Sequence, residues 1–152
     1  RGQSLQDLLC AAGTPGPLRH LRRLHVSHCE IATLDAAALQ HLPALADLNL
    51  SHNCLHDLPP EVDCLAQLEV LDVRHNQLAC LPAELGKLLS LKELHAAHNR
   101  LTALPAELSN LPLSHLDVAE NCLLQLPTFL ASIHTLRTLC AAGNRLPGVP
   151  RG

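Results

Sequence analysis

Apolar residues recur in one frame, six times between residues 18 and 150. In each segment two apolar positions stand two residues apart, and an asparagine or cysteine follows three residues after the second. Two more apolar positions lie two and five residues beyond it. The positions of this polar column are 22–24 residues apart: Cys29, Asn53, Asn76, Asn99, Asn121 and Asn144.

Each segment combines two kinds of local structure. Two apolar positions separated by one residue have the period of a short strand, which points the intervening side chains to the opposite face. A proline follows the last apolar position in all but the first segment, and proline does not continue a helix or a central strand. Residues 59–65, 82–88 and 105–111 are therefore predicted to form short helical or 3₁₀ turns, with an inward apolar residue in each: Val62, Leu85 and Leu108.

A segment of this kind has one apolar side and buries it only by stacking against its neighbours. The pattern thus predicts a continuous core beside a parallel sheet. The asparagines are expected to satisfy the turning backbone, because an amide side chain both donates and accepts hydrogen bonds. Cys29 is only a weak donor, so the first coil is expected to be looser.

The pattern L-x-x-L-x-L-x-x-N/C-x-L-x-x-L-P resembles the leucine-rich repeat family, and its leucine–proline ending is similar to the intracellular 23-residue class of Ras-pathway scaffold proteins. The resemblance implies an α/β solenoid. This would be a right-handed horseshoe of about six repeats, with short parallel strands on its concave face and short helical, 3₁₀ or irregular turns on its convex face.

Three segments are expected: residues 1–17 as an N-terminal flank or cap, residues 18–150 as the repeat domain, and residues 151–152 as the start of a C-terminal linker. In the flank, residues 4–10 form either a helical turn with Ser4 as N-cap or a frayed end. The lack of methionine and the incomplete last repeat predict a monomeric domain within a longer chain.

The composition narrows the class of partner. Phe129 is the only aromatic residue besides histidine among 152 residues, which argues against base-stacking platforms and aromatic cages. A net charge of −3 leaves no basic footprint for nucleic acid or an anionic membrane. Polar residues interrupt every leucine cluster, so no membrane insertion is expected. A protein partner is the prediction.

Of the seven cysteines, Cys10 lies in the N-terminal flank and the other six are scattered through the repeats, and no cysteine cluster flanks them. Buried thiols in a reducing compartment explain this best, so a cytoplasmic location is predicted. An extracellular receptor ectodomain would instead need paired cysteines, and counting free thiols under denaturing, non-reducing conditions distinguishes the two.

Partner recognition is expected on the outward positions of the strands, which the resemblance places on the concave face. The predicted contact residues form a polar, mixed-charge surface: His25, Asp47, Asn49, Asp72, Arg74, Glu93, His95, His115 and Asp117. An ordinary solvated face is the alternative.

A second column, which we call the histidine column, directly precedes the polar column: His28, His52, His75 and His98. A linear column spreads its ligands apart, so no metal site is expected there. A pH sensor is an alternative, because stacked imidazoles resist charging together, but uncharged polar filler is the simpler interpretation.

The sequence has no glycine-rich phosphate loop and no hydrolase or metalloprotease motif. A Cys140–His115 nucleophile pair is the one catalytic alternative. No cofactor and no catalytic or metal-binding residue is predicted. The expected function is therefore a non-enzymatic interaction module, a scaffold or adaptor in signal transduction. The alternative is a regulatory or substrate-recruiting arm of a larger signalling enzyme, such as a kinase, GTPase or ubiquitin ligase.

Overall fold

The computed structural model describes residues 3–5 and 18–146. Within these residues, six strands form one parallel sheet, in which each strand pairs with the strand of the next coil along the chain. The strands are β2 (Arg23–His25), β4 (Asp47–Asn49), β5 (Val70–Asp72), β6 (Glu93–His95), β7 (His115–Asp117) and β8 (Thr138–Cys140). Two further strands, β1 (Gln3–Ser4) and β3 (Ile31–Thr33), pair with each other.

The register of the sheet follows the sequence repeat. The central leucine of each strand lies opposite the central leucine of the next: Leu24, Leu48, Leu71, Leu94, Leu116 and Leu139. Such alignment keeps every inward side chain on the core side, since a slip of one residue would turn it outward. The predicted α/β solenoid with a parallel sheet is confirmed.

Short helices return the chain between strands, as the prolines predict. The 3₁₀ helices are η1 (Pro60–Cys64), η2 (Ala83–Lys87), η3 (Ala106–Asn110) and η4 (Thr128–Ser132). The first coil instead contains the α-helix α1 (Ala36–Gln40), where no proline interrupts a run of good helix formers. The inward residues Val62, Leu85 and Leu108 are fully buried, which confirms their predicted orientation.

The core is a continuous aliphatic column along the stack. It is closed in the middle and more open at the C-terminal end, where Leu139 is 40% exposed although the equivalent Leu94 and Leu116 are fully buried. A coil in the middle is covered on both sides, whereas a terminal coil is covered on one.

The asparagines satisfy the turns of neighbouring coils, as expected. Asn76 accepts a hydrogen bond from the Leu55 amide at 3.0 Å and donates to the carbonyls of Leu50 (2.9 Å) and Val73 (3.0 Å). The same arrangement recurs at Asn99 and Asn121. Each amide therefore ties its own coil to the one before it.

At the start of the stack, the Cys29 thiol donates to the Ser27 carbonyl at 3.3 Å. The core residue of this coil, Val26, is half-buried, while its equivalents Leu50 and Val73 are fully buried.

In the N-terminal flank, Ser4 lies in β1 opposite Thr33, and Leu5 is fully buried. This segment thus packs against the first coil. The rest of the predicted helical turn, residues 6–10, lies outside the described residues. None of the helices in the described ranges is long and apolar enough to cross a bilayer.

Candidate functional site: the concave face

The outward side chains of the strands form two columns across the concave face. The first residues of the strands make the first column: Arg23, Asp47, Val70, Glu93, His115 and Thr138. The third residues make the second column: His25, Asn49, Asp72, His95, Asp117 and Cys140. Neighbours in a column stand about 4.8 Å apart, the spacing of paired strands. Eight of the nine predicted contact residues lie in these columns, and Arg74 lies two residues beyond β5.

Asp72 and Arg74 form a bidentate ion pair in the middle of this face. Nε of Arg74 donates to Oδ1 of Asp72 at 2.9 Å and Nη2 donates to Oδ2 at 2.8 Å, while the Arg74 amide also donates to Oδ1 at 3.1 Å. The hydrogen bond to Asp72 is the main reason why the pKa of Arg74 is raised, against the opposing effect of burial. Asp72 is only 8% exposed. Its carboxylate is therefore covered by Arg74, whose side chain is 43% exposed.

The N-terminal half of the face holds a weaker pair and a local turn. Nε2 of His25 lies 3.4 Å from Oδ2 of Asp47, with both side chains substantially exposed. Oδ1 of Asn49 accepts hydrogen bonds from the amide and hydroxyl of Ser51, at 2.9 and 2.7 Å. Together with the exposed Arg22 and Arg23, this half carries positive charge toward solvent.

The C-terminal half brings together residues that the sequence places in separate repeats. Nε2 of His95 lies 3.0 Å from Oε1 of Glu93. The ring of His95 meets the ring of His115 on the next strand, with centroids 4.6 Å apart and planes tilted by 35°. Asp117 lies opposite His95, and its Oδ1 accepts a hydrogen bond from the Ala119 amide at 3.1 Å.

These contacts create a group of three potential ligands. One ligand atom each from His95, His115 and Asp117 lies within 4.8 Å of the other two, and all three side chains are half-buried. Among the residues that the structure describes, this is the group that meets the geometry for holding a metal ion. No metal ligand was predicted from the sequence, because His95 and His115 belong to different columns of the repeat and their closeness depends on a diagonal between two strands.

The histidine column forms a stack beyond the carboxyl ends of the strands. Adjacent rings lie 4.2–4.3 Å apart with interplanar angles of 10–14°. Desolvation by burial, followed by the neighbouring charges of His98, His52 and Arg74, lowers the pKa of His75 below its ordinary 6.5, while Asp72 opposes this shift. The four rings lie in a line along the stack of coils.

The backbone at the histidine column is in the left-handed region of φ and ψ, a conformation that the repeat pattern did not predict. All four histidines have φ between 56° and 59°. The equivalent positions of the last two coils continue the conformation, Glu120 with φ 54° and Gly143 with φ 76°. Glycine at an equivalent position is the sequence signal that was available, because glycine adopts positive φ without steric cost.

The two residues of the catalytic alternative, Cys140 and His115, lie on neighbouring strands but not opposite each other. Cys140 lies opposite Asp117, while His115 lies opposite Thr138. Cys140 is half-buried and its thiol is free, as are those of Cys54, Cys64, Cys80 and Cys122 within the described residues.

Comparison with known proteins identifies the family. Two leucine-rich repeat family models match residues 19–78 and 90–111, which together make up more than half of the chain. A solved leucine-rich repeat protein of Leptospira interrogans is 30% identical and superimposes with a TM-score of 0.83 over 88% of this chain. A search of curated proteins finds no match. The chain belongs to the leucine-rich repeat family.

The match covers most of this chain but only part of the solved protein. The chain spans about a third of its length, 34%. Leucine-rich repeat domains generally bind proteins and are typically non-catalytic, and the fold described above has this architecture.

Proposed function

We propose that this domain is an interaction module that binds a protein partner through its concave face. The observation that carries the proposal is the pair of outward columns. Their polar and charged side chains are aligned by the strand register, yet the fold needs none of them for its core. Side chains that do not pack in the core can vary without loss of the fold, and repeat proteins use such concave surfaces for binding.

The distribution of charge suggests the chemistry of the partner. Exposed Arg22 and Arg23 favour acidic groups toward the N-terminal half. Glu93 and Asp117 favour basic groups toward the C-terminal half. A partner segment with charges of both signs in this order would complement the face, and charge complementarity of this kind directs both specificity and association rate.

A charge-reversal experiment tests the proposal. The double variant Asp47→Lys, Glu93→Lys changes two half-exposed carboxylates of the first column and leaves the buried Asp72 pair intact. The matched control Glu61→Lys, Glu84→Lys makes the same charge change in the first turns of η1 and η2 on the convex face.

The measurement is quantitative mass spectrometry of proteins captured from cell extract by the native domain and each variant. Proteins captured by the native domain and the control, but lost at least about tenfold with the concave variant, support the concave face. Equal loss with both variants, or no loss with the concave one, contradicts it. Thermal unfolding of all three proteins checks that the fold is unchanged.

A reducing, cytoplasmic setting and a role as a signalling scaffold or adaptor extend this proposal. The free thiols of Cys54, Cys64, Cys80, Cys122 and Cys140 support a reducing compartment. The partial coverage of the longer solved relative supports the second candidate, a regulatory or substrate-recruiting arm of a larger enzyme. Whether the natural protein also contains a catalytic domain distinguishes scaffold from arm.

A further inference from the structure

We infer that His95, His115 and Asp117 form a site for a divalent transition-metal ion on the concave face. We name this group the concave triad. The inference goes beyond the proposed function and does not depend on it, because the ligands all come from this chain. Three observations support the site: the convergence of the ligand atoms, the orientation of His95 by Glu93, and the local excess of negative charge.

The first observation is geometric. The ligand atoms of the triad lie within 4.8 Å of one another. In a tetrahedral site with metal–ligand bonds of about 2.0–2.1 Å, ligand atoms stand about 3.3 Å apart. Small side-chain rotations close this difference, and half-buried side chains at a surface have the freedom to make them. Next to the triad, the positions that continue the strands are the alanines Ala97 and Ala119, whose short side chains carry no competing ligand atom.

The second observation is the contact between Glu93 and His95. An ionised carboxylate only accepts hydrogen bonds, so the 3.0 Å contact places the proton of His95 on Nε2. In the proposed site, Nδ1 then carries the lone pair and is the ligand atom of His95. A carboxylate that holds the far nitrogen of a ligating histidine is a recurrent feature of metal sites, where it orients the ring and raises its basicity. Glu93 is therefore a positioning residue.

The third observation is charge. Asp72, Glu93 and Asp117 lie in neighbouring strands, and Arg74 is the cation paired to the first of them. Because Asp72 neutralises Arg74 at 2.8 Å, Glu93 and Asp117 leave negative charge at the triad. A cation is favoured there.

The ligand set decides the class of ion. Two imidazoles and one carboxylate suit zinc and the neighbouring divalent ions cobalt, nickel and copper, whereas magnesium and calcium prefer oxygen ligands. In a tetrahedral site, three protein ligands leave one coordination position open. A water molecule or a donor from a bound protein would occupy it.

The test is zinc binding to the full chain, measured by isothermal titration calorimetry with zinc chloride. The exposed histidine column would bind zinc weakly, so every titration is repeated in the background His52→Asn, His75→Asn. Asparagine tolerates the left-handed backbone at both positions. The expected result is one high-affinity zinc ion per chain in both backgrounds, with the weak binding of the histidine column reduced in the second. Absorption of the cobalt-loaded protein reports the coordination geometry independently.

Variants of the triad then assign the ligands. Asp117→Asn keeps an oxygen to accept the Ala119 amide and so preserves the turn, but removes the anionic ligand. We expect this variant and His115→Gln each to weaken zinc binding at least about tenfold, and Glu93→Gln to weaken it about tenfold. The matched control His134→Gln changes an exposed histidine in another part of the chain and should bind zinc like the native protein.

Three results would overturn the inference. The first is no zinc binding by the native chain up to about 1 mM. The second is unchanged affinity in both triad variants, and the third is loss of binding in the histidine-column background. Circular dichroism of each variant verifies that a lost site is not a lost fold. Failure here leaves protein binding by the concave face untouched, because that experiment uses Asp47 as well as Glu93 and needs no metal.

Discussion

The polar column and the histidine column occupy adjacent positions in four consecutive coils, yet their environments are opposite. Asn53, Asn76 and Asn99 are each 8% exposed, and their side chains bond to backbone groups of two coils. The histidine beside each of them is exposed and stacks on its equivalents in neighbouring coils. The asparagines are therefore needed to satisfy backbone hydrogen bonds, while the side chains of these histidines make no such bonds and only have to fit the backbone conformation.

The difference follows from the turn itself. The histidine position has φ near 58°, which points its side chain away from the core and lets the next residue point inward. Inward residues then have to satisfy buried backbone groups, since each unpaired group costs about 1–3 kcal/mol. Outward residues only have to fit a left-handed backbone. A residue type can therefore repeat for two reasons: it satisfies buried backbone groups, or it stacks on its equivalents at the surface. Mutation separates the two.

The largest effect is expected for the core that supports both columns. Leu94→Ala should lower the free energy of unfolding by roughly 2–5 kcal/mol, because Leu94 is fully buried in a middle coil and leaves a cavity. Leu139→Ala, at the equivalent position that is 40% exposed, is the matched control and should cost clearly less. Urea denaturation measures both. Equal losses would mean that the middle and the end of the stack are packed alike.

Next comes the polar column itself. Asn99→Ala should cost about 3 kcal/mol, since it leaves the Leu78 amide and the carbonyls of Val73 and Ala96 without their partner. The adjacent variant His98→Gly should stay within about 1 kcal/mol of the native protein, because glycine suits a positive φ and offsets the lost ring contact. Denaturation of this pair of neighbours tests the comparison directly. Similar losses at both positions would contradict it.

A smaller effect should show that the histidine column is constrained by its backbone. His52→Val should be destabilising by about 1–2 kcal/mol, because a β-branched residue fits the left-handed region poorly. His52→Asn should be nearly neutral. If valine and asparagine were equally tolerated in thermal unfolding, stacking and not backbone conformation would define this column.

The smallest effect concerns pH. The pKa of His75 is lowered in the folded state, mainly by desolvation and then by His98, His52 and Arg74, with Asp72 opposing. The unfolded chain therefore binds more protons as the pH falls below 6.5, so the contribution of this residue to stability is present above that value and lost between it and the lower folded pKa. NMR titration of the His75 ring should show the lowered pKa. Stability of His75→Asn should vary less between about pH 5 and 7 than that of the native protein. A His75 pKa at or above 6.5 would contradict the prediction.

Much of the fold could be predicted because the information for it is local and repeated. A step of two residues orients Leu48 and Leu50 to one side, and the proline after Leu58 requires a change of direction that η1 supplies. The departures are local too: a run of helix formers after Asp35 gives an α-helix where the other coils have 3₁₀ helices. The same period predicts that the candidate contact residues in the strands point away from Leu48 and its equivalents, while the family resemblance supplied the concave face; their role in binding stays a prediction.

Other features of the face could not be predicted from spacing. Asp72 has the pattern of an outward contact residue, but its carboxylate is buried under Arg74. His95 and His115 belong to different columns, and their rings meet only along a diagonal between β6 and β7. Which diagonal closes depends on side-chain rotamers and on the twist of adjacent strands, and neither is written in the repeat.

By itself, the sequence determined the repeating coil, its aliphatic core and the buried asparagines, because burial of apolar side chains and satisfaction of backbone groups act alike in every coil. Only the tertiary structure determined that the histidines stack in a left-handed backbone conformation, that Asp72 forms an ion pair with Arg74, and that His95, His115 and Asp117 lie close together. Those features depend on distances between side chains of different strands, which exist only after the coils have packed.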